Sequence, residues 1–210
     1  MKQQKRFNKK IQVAGPMKLP VLLNEKAISQ FKLYIFRLPD GDYYVVEKGN
    51  VKGNDPVLVR VHSACNIAHI FHSERCDCEA QLELAMQLID QAKRGLLIYI
   101  VNHEGRGVGP FNHIRVYQEQ DKGFDTVDSY LNLHLPVDKR NYGGVKPILK
   151  WFNVKRVNLL TNNPKKIESL KKLGFEVKRK SLIPKLTRFN QSQIKAKIEK
   201  LGHFIPYPKQ

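Results

Sequence analysis

Val154-Lys-Arg-Val157-Asn-Leu-Leu160-Thr161-Asn-Asn-Pro164-Lys-Lys-Ile-Glu-Ser-Leu-Lys-Lys-Leu173-Gly174-Phe-Glu-Val177-Lys-Arg-Lys180 is the stretch that decides the fold class. Val157–Leu160 is an apolar run that reads as a strand. Thr161–Pro164 is a turn, in which Asn163 suits a helix N-cap and Pro164 the first helical position. Lys165–Leu173 is helical up to Gly174, and Phe175–Val177 begins a returning strand. This strand–helix–strand logic predicts a mixed α/β or α+β architecture in one compact unit.

Working outward, Leu96–Val101 is a continuous β-branched and apolar run, the signature of a buried strand. Val57–Val61 reads as another strand and runs straight into His62-Ser-Ala-Cys65. Phe31–Arg37 and Tyr43–Glu47 flank the turn signal Pro39-Asp-Gly-Asp42, which predicts a hairpin. Helices are predicted over Gln81–Lys93, ended by Gly95, and over Phe111–Lys122, Thr126–Leu133, Val145–Phe152 and Gln191–Leu201. Residues 1–30 form a basic segment interrupted by Gly15-Pro16 and Pro20, with its first dozen residues expected to be mobile.

Composition narrows the function. The chain has 210 residues, 41% hydrophobic and 27% charged, which excludes a wholly disordered or collagen-like protein. No apolar run approaches the roughly 20 residues of a membrane span, and no apolar stretch follows the charged N-terminus, so the expected compartment is the cytoplasm. Lys and Arg number 37 against 19 Asp and Glu, a net charge of +18 that attracts polyanions: nucleic acid, an anionic membrane or a phosphate-rich substrate.

The three cysteines, Cys65, Cys76 and Cys78, lie in one short stretch. An odd, clustered set in a reducing compartment argues against a disulfide framework and for a soft metal. Three thiolates on zinc leave a fourth position for water, the catalytic pattern; His62, His69 or His72 as a fourth ligand would instead make a structural site. Glu104-Gly-Arg-Gly-Val-Gly109 follows a strand and opens a helix, so it is either a phosphate cradle with Arg106 as a clamp or a tight turn without a ligand. Thr161–Lys166 is either an anion site at a helix start, to which Arg60 and His62 could add, or a capped surface helix with solvated lysines. Asp138 and Arg140 are either a pocket pair or a surface ion pair.

In combination these segments resemble the GTP cyclohydrolase II family of riboflavin synthesis. The resemblance rests on Arg60-Val-His-Ser63, Cys65-x10-Cys76-Asp-Cys78, Gln81-Leu82, Glu104-Gly-Arg-Gly107, Gln120-Asp121, Asp125-Thr-Val127, Asp138-x-Arg140, Tyr142-Gly143 and Leu159–Lys166, in the family's order over Val57–Leu186. It implies a single GTP cyclohydrolase II-like catalytic domain over 31–186, with a mixed sheet and surrounding helices. On either side lie the basic segment 1–30 and a basic tail, 187–210, with one short helix.

The resemblance also implies a reaction: one zinc per chain on Cys65, Cys76 and Cys78 carries water onto C8 of guanine, formate leaves, and pyrophosphate is released with magnesium at the triphosphate. Asp138 would be the general acid/base, and Tyr117 would lie near the reacting centre. The family assigns Arg140 an attack on the α-phosphorus, but a guanidinium with a pKa above about 12 is a poor nucleophile, and electrostatic stabilisation is the easier role. Nucleotide contacts would come from Arg60, Val61, His62, Ser63, Ala64, Gln81, Glu104, Gly105, Arg106, Thr126, Thr161 and Lys166. A homodimer is implied. The chain departs from the family at Ala64 (usually Glu), Glu79 (usually Gly), His103 (often Gln), Pro110 (usually Leu) and Asn141 (usually Asp). These departures leave open a paralogue that acts on another nucleotide or stops at a partial reaction. The charge leaves open a nucleic-acid-binding protein on the same scaffold, although no recognised RNA or DNA motif is present.

Overall fold

The computed structural model describes residues 11–23, 27–53, 55–184 and 186–206. Among them, seven strands form one sheet: β1 (Gln12–Leu23), β2 (Ala27–Leu38), β3 (Gly41–Lys48), β4 (Val57–Ser63), β5 (Gly95–Ile100), β6 (Arg156–Leu160) and β7 (Glu176–Lys180). Their order across the sheet is β1-β2-β3-β5-β4-β6-β7. The half from β1 to β5 is antiparallel, and β5, β4, β6 and β7 are mutually parallel. The expected α+β architecture with a mixed sheet is what the chain adopts.

The alternation along each strand feeds two cores, one on each face of the sheet. Val45 and Ile98 join Phe36 on one face with α6 (Val145–Trp151) and α7 (Pro164–Lys172). Val46 and Leu97 point to the other face, where α2 (Cys78–Gln91) lays down Ala85, Met86 and Ile89. On the first face Tyr34, Phe36, Trp151 and Phe152 form an aromatic cluster; the Phe152 ring meets Trp151 at 4.6 Å and Tyr34 at 5.4 Å, both edge-on.

The hairpin is present, with Leu38 paired to Gly41 across Pro39-Asp40. The segment before it differs from expectation. The chain is already in strand at Gln12, whereas residues 1–10 lie outside the described residues. Pro16 and Pro20 do not interrupt β1 because it is an edge strand, where a missing N–H is tolerated, and the register shifts between Ala14 and Met17. Gly95 does not end a helix; α2 stops at Gln91, Lys93 takes the left-handed turn (φ 57°), and Gly95 opens β5 where a Cβ would sit 2.7 Å from the Leu58 carbonyl. No helix among the described residues is long and apolar enough to cross a membrane.

Phe152→Ala removes a ring that is 2% exposed from that cluster, so it is expected to lower unfolding free energy by about 3–5 kcal/mol in urea titration. A loss below about 1 kcal/mol would show that the aromatic cluster is not part of the stabilising core.

Candidate functional site

The chain leaves β4 for β5 on one side and later returns to β6 on the other, so the direction of winding reverses across β4. Crevices beyond the carboxyl ends of strands at such a point are where open α/β sheets hold ligands. Three segments emerge there: His62–Cys65 at the end of β4, the turn Val101–His103 and α3 (Glu104–Gly107) after β5, and Thr161–Pro164 after β6. The short helix α1 (Asn66–Phe71), which the sequence reading missed, follows Cys65. The turn Ser73–Asp77 then leads to Cys78, the first residue of α2.

That path brings the thiols together. The sulfurs of Cys65, Cys76 and Cys78 lie within 4.8 Å of one another, and those of Cys65 and Cys76 are 3.7 Å apart. A tetrahedral zinc with Zn–S bonds of about 2.3 Å requires sulfurs about 3.8 Å apart, so the donor set fits that ion. Without a cation the three cannot all ionise. Hydrogen bonds with Cys65 and Cys78 pull the pKa of Cys76 down, and the same contact with Cys76 pushes Cys65 up. The nearby histidines are engaged elsewhere: His62 Nε2 lies 3.1 Å from His69 Nε2, His69 Nδ1 is 2.9 Å from the Tyr99 hydroxyl, and His72 pairs with Glu79. None of the three joins the thiol cluster.

Beside the sulfurs runs a cationic cleft. Arg60 donates to the Leu160 carbonyl (2.8 Å) and to Gln81 Oε1 (2.5 Å), and Lys166 Nζ donates to the Val61 carbonyl (2.8 Å). Burial lowers the pKa of Arg60 to about 10, which leaves it charged at neutral pH. Burial, then Arg60 and Arg140, push Lys166 well below its usual range. Arg106 Nη1 and the Tyr117 hydroxyl are buried polar atoms with no partner among the described residues, and both line the cavity. Gly105 and Arg106 share a left-handed backbone (φ 55° and 56°), and a Cβ on Gly105 would fall 2.8 Å from that of His113.

Asp138 and Arg140 meet in this cleft rather than on the surface. Arg140 donates through Nε and Nη2, each 2.8 Å from the Asp138 carboxylate. Burial opposes the charge on Asp138, but the guanidinium outweighs it and holds the carboxyl at about 2. Arg140 Nη1 lies 3.4 Å from Ser63 Oγ, which is 3.2 Å from His103 Nδ1; His103 Nε2 is 2.9 Å from the Asn141 carbonyl. Burial, then Arg140, lowers His103 to about 4. The ring is therefore neutral, and its Nε2–H donates to Asn141 while Nδ1 accepts from Ser63.

Of the expected site residues, Cys65, Cys76, Cys78, Asp138, Arg140, Tyr117, Arg60, His62, Ser63, Ala64, Gln81, Gly105, Arg106, Thr126, Thr161 and Lys166 all line one cavity. Val61 and Glu104 stand behind it. Val61 is a core residue that offers only its carbonyl, and Glu104 joins His113 Nδ1 (2.5 Å) to the Asn66 amide (2.6 Å). Sequence reasoning missed His113, which stacks on Tyr117 at 4.8 Å, and Gln193, Lys197 and His203 from the C-terminal part of the chain. Helical spacing alone could have paired His113 with Tyr117 four residues on; nothing in the sequence pointed to the other three.

A mixed sheet that gathers three thiols and a row of cations in one crevice defines the domain. The sequence model for GTP cyclohydrolase II matches residues 19–181. The chain is 43% identical over 183 residues to GTP cyclohydrolase-2 of Archaeoglobus fulgidus, covering 87% of this chain and 48% of that protein. It is 41% identical over 178 residues to riboflavin biosynthesis protein RibBA of Aquifex aeolicus, covering 83% and 44%. With GTP cyclohydrolase-2 of Histophilus somni it shares 40% identity over 199 residues, 93% of this chain and 89% of that one. The chain belongs to the GTP cyclohydrolase II family. It spans about half the length of the first two relatives and most of the third.

A carboxylate with a lowered folded pKa stabilises the fold above its unfolded pKa and ceases to do so as pH falls through the folded value. Asp138→Asn should therefore lower stability by about 2 kcal/mol near neutrality, with the difference from the native chain closing between about pH 4 and pH 2. Urea titrations across that range check it; a gap that is constant with pH would show that the ion pair with Arg140 is not its source.

Proposed function

We propose that the chain is a zinc-dependent hydrolase that opens the imidazole ring of GTP and releases formate and pyrophosphate, leaving a ring-opened diaminopyrimidine nucleotide for riboflavin synthesis. The observation that carries this reading is the thiol triad beside a cleft walled by Arg60, Arg106, Arg140 and Lys166. Zinc on Cys65, Cys76 and Cys78 would supply Lewis acidity and activated water for C8 of guanine. A triphosphate of about −4 charge, with magnesium, suits the cations, and Arg106 Nη1 is a donor waiting for an acceptor.

The other side chains have defined parts. Asp138 is ionised at neutral pH and so starts as a proton acceptor. Burial raises the pKa of Tyr117, so its hydroxyl stays protonated and donates to the substrate. Arg140, its pKa raised by Tyr142 and Asp138 against burial, keeps its proton and stabilises the α-phosphate as a charge. The enzyme would work in the cytoplasm as a homodimer, for which exposed Phe71 and Phe111 offer apolar surface.

A second reading, a paralogue acting on a different nucleotide, is favoured by Ala64 and His103, family departures that both line the cavity. Incubation with GTP, dGTP, GMP and ATP, with formate and pyrophosphate measured separately, distinguishes the two. GTP should yield both products. Cys76→Ser should lose zinc and formate release, and Arg140→Ala should cut pyrophosphate release by about 100-fold or more. Formate released from another nucleotide but not from GTP would establish the second reading; full activity in Cys76→Ser would refute both.

A further inference from the structure

The family's sequence model ends at residue 181, yet the cavity wall continues beyond it. Helix α8 (Gln191–Glu199) faces the cleft from the far side, and Lys197 enters the interior. Its Nζ lies 2.5 Å from Asp77 Oδ1. Asp77 is fully buried and stands between two of the three thiols. It occupies the N-cap position of α2, where an aspartate normally accepts from the first-turn amides, but its side chain makes no such bond. Its other oxygen accepts from Gln81 Nε2 at 2.6 Å, and Gln81 Oε1 accepts from Arg60. One chain of polar contacts thus runs from α8 through the cysteine turn to Arg60 in β4.

Two contacts tie down the chain at and beyond the C-terminal end of α8. Lys200 reaches Asp125 and Asp128 at the start of α5 (Thr126–Asn132), the helix that carries Thr126. Beyond α8, the Phe204 amide donates to the Asn162 carbonyl (2.8 Å), beside Thr161. Gln193 lines the cleft with a buried Oε1 that has no partner among the described residues.

We propose that Lys197 is a positioning residue for the thiol site: through Asp77 it holds the Cys76-Asp77-Cys78 turn, so that the C-terminal helix sets the placement of two sulfurs. This rests on the reading of the three thiols as a metal site. Three thiolates and a buried carboxylate around one divalent ion leave a surplus of negative charge, and the ammonium of Lys197 offsets it. Groups that orient ligands from behind in this way typically contribute 10–100-fold to metal affinity.

The test is zinc affinity by chelator competition on the full chain, together with the absorption spectrum of the cobalt-substituted protein, which reports sulfur geometry. Lys197→Met should stay folded by circular dichroism, bind zinc about 10–100-fold more weakly and shift the cobalt bands. In an Asp77→Asn background the same substitution should add little, because Lys197 acts through that carboxylate. Lys195→Met, on the exposed face of α8, should leave affinity and spectrum unchanged. If Lys197→Met does not fold, Lys197→Gln is the deciding variant. A folded Lys197 variant with native zinc affinity and an unshifted cobalt spectrum overturns this inference alone. A native chain that takes up no zinc overturns the metal reading and this inference with it.

Discussion

Three buried sulfurs within 4.8 Å of one another impose the constraint on which the site depends. Thiolates at that separation repel; the hydrogen bonds within the cluster pull the pKa of Cys76 down and push that of Cys65 up. The chain holds the sulfurs in place against that repulsion. Cys65 is fixed at the start of α1, whose first amide is bonded by Glu104 from the neighbouring turn. Cys76 and Cys78 belong to a turn pinned by Asp77, whose two oxygens are bonded to Gln81 and Lys197.

The same logic, with the opposite sign, governs the cationic side of the cavity. Arg60, Arg140 and Lys166 are packed closely enough to oppose one another's charge, and burial adds to the penalty. The protein holds them with neutral acceptors, the carbonyls of Leu160 and Val61, and gives a full carboxylate to Arg140 alone. A cleft in that condition gains from any polyanion that enters, because the incoming charge relieves repulsion that folding has already imposed. The thiol turn and the cationic side of the cavity meet at Arg60, which Gln81 connects to Asp77.

What could be read from sequence follows from how local each feature is. The hairpin, the strand–helix–strand unit and the buried β5 are short-range patterns, and they were legible. β1 was not, because Pro16 and Pro20 read as breakers until the strand is known to lie at the sheet edge. α1 was hidden as a helix of six residues inside the cysteine spacing. The thiols, Asp138 and Arg140 were legible as residue types whose resemblance to a family fixed their meaning, and the fold then placed them in one crevice. Lys197 had no local signal: it lies 120 residues from Asp77 and looks, in sequence, like any other lysine of a basic tail.

The departures from the family sort by where they point. Glu79 faces outward to His72 and is not part of the cavity wall, and Pro110 opens α4 (Pro110–Asp121) at a position where proline is favourable. The side chain of Asn141 accepts from the Gly143 amide at 2.8 Å, a bond an aspartate would make equally well. His103 bonds the Asn141 backbone rather than its side chain. Asn141 and Ala64 each stand where the family usually has a carboxylate, but Asn141 is exposed and outside the cavity wall, so Ala64 is the departure that alters charge in the cavity. Between Ser63 and Cys65 it contributes no carboxylate, which leaves the cleft one negative charge poorer than the family pattern. The neighbouring cations, which already oppose one another's charge, are correspondingly less compensated.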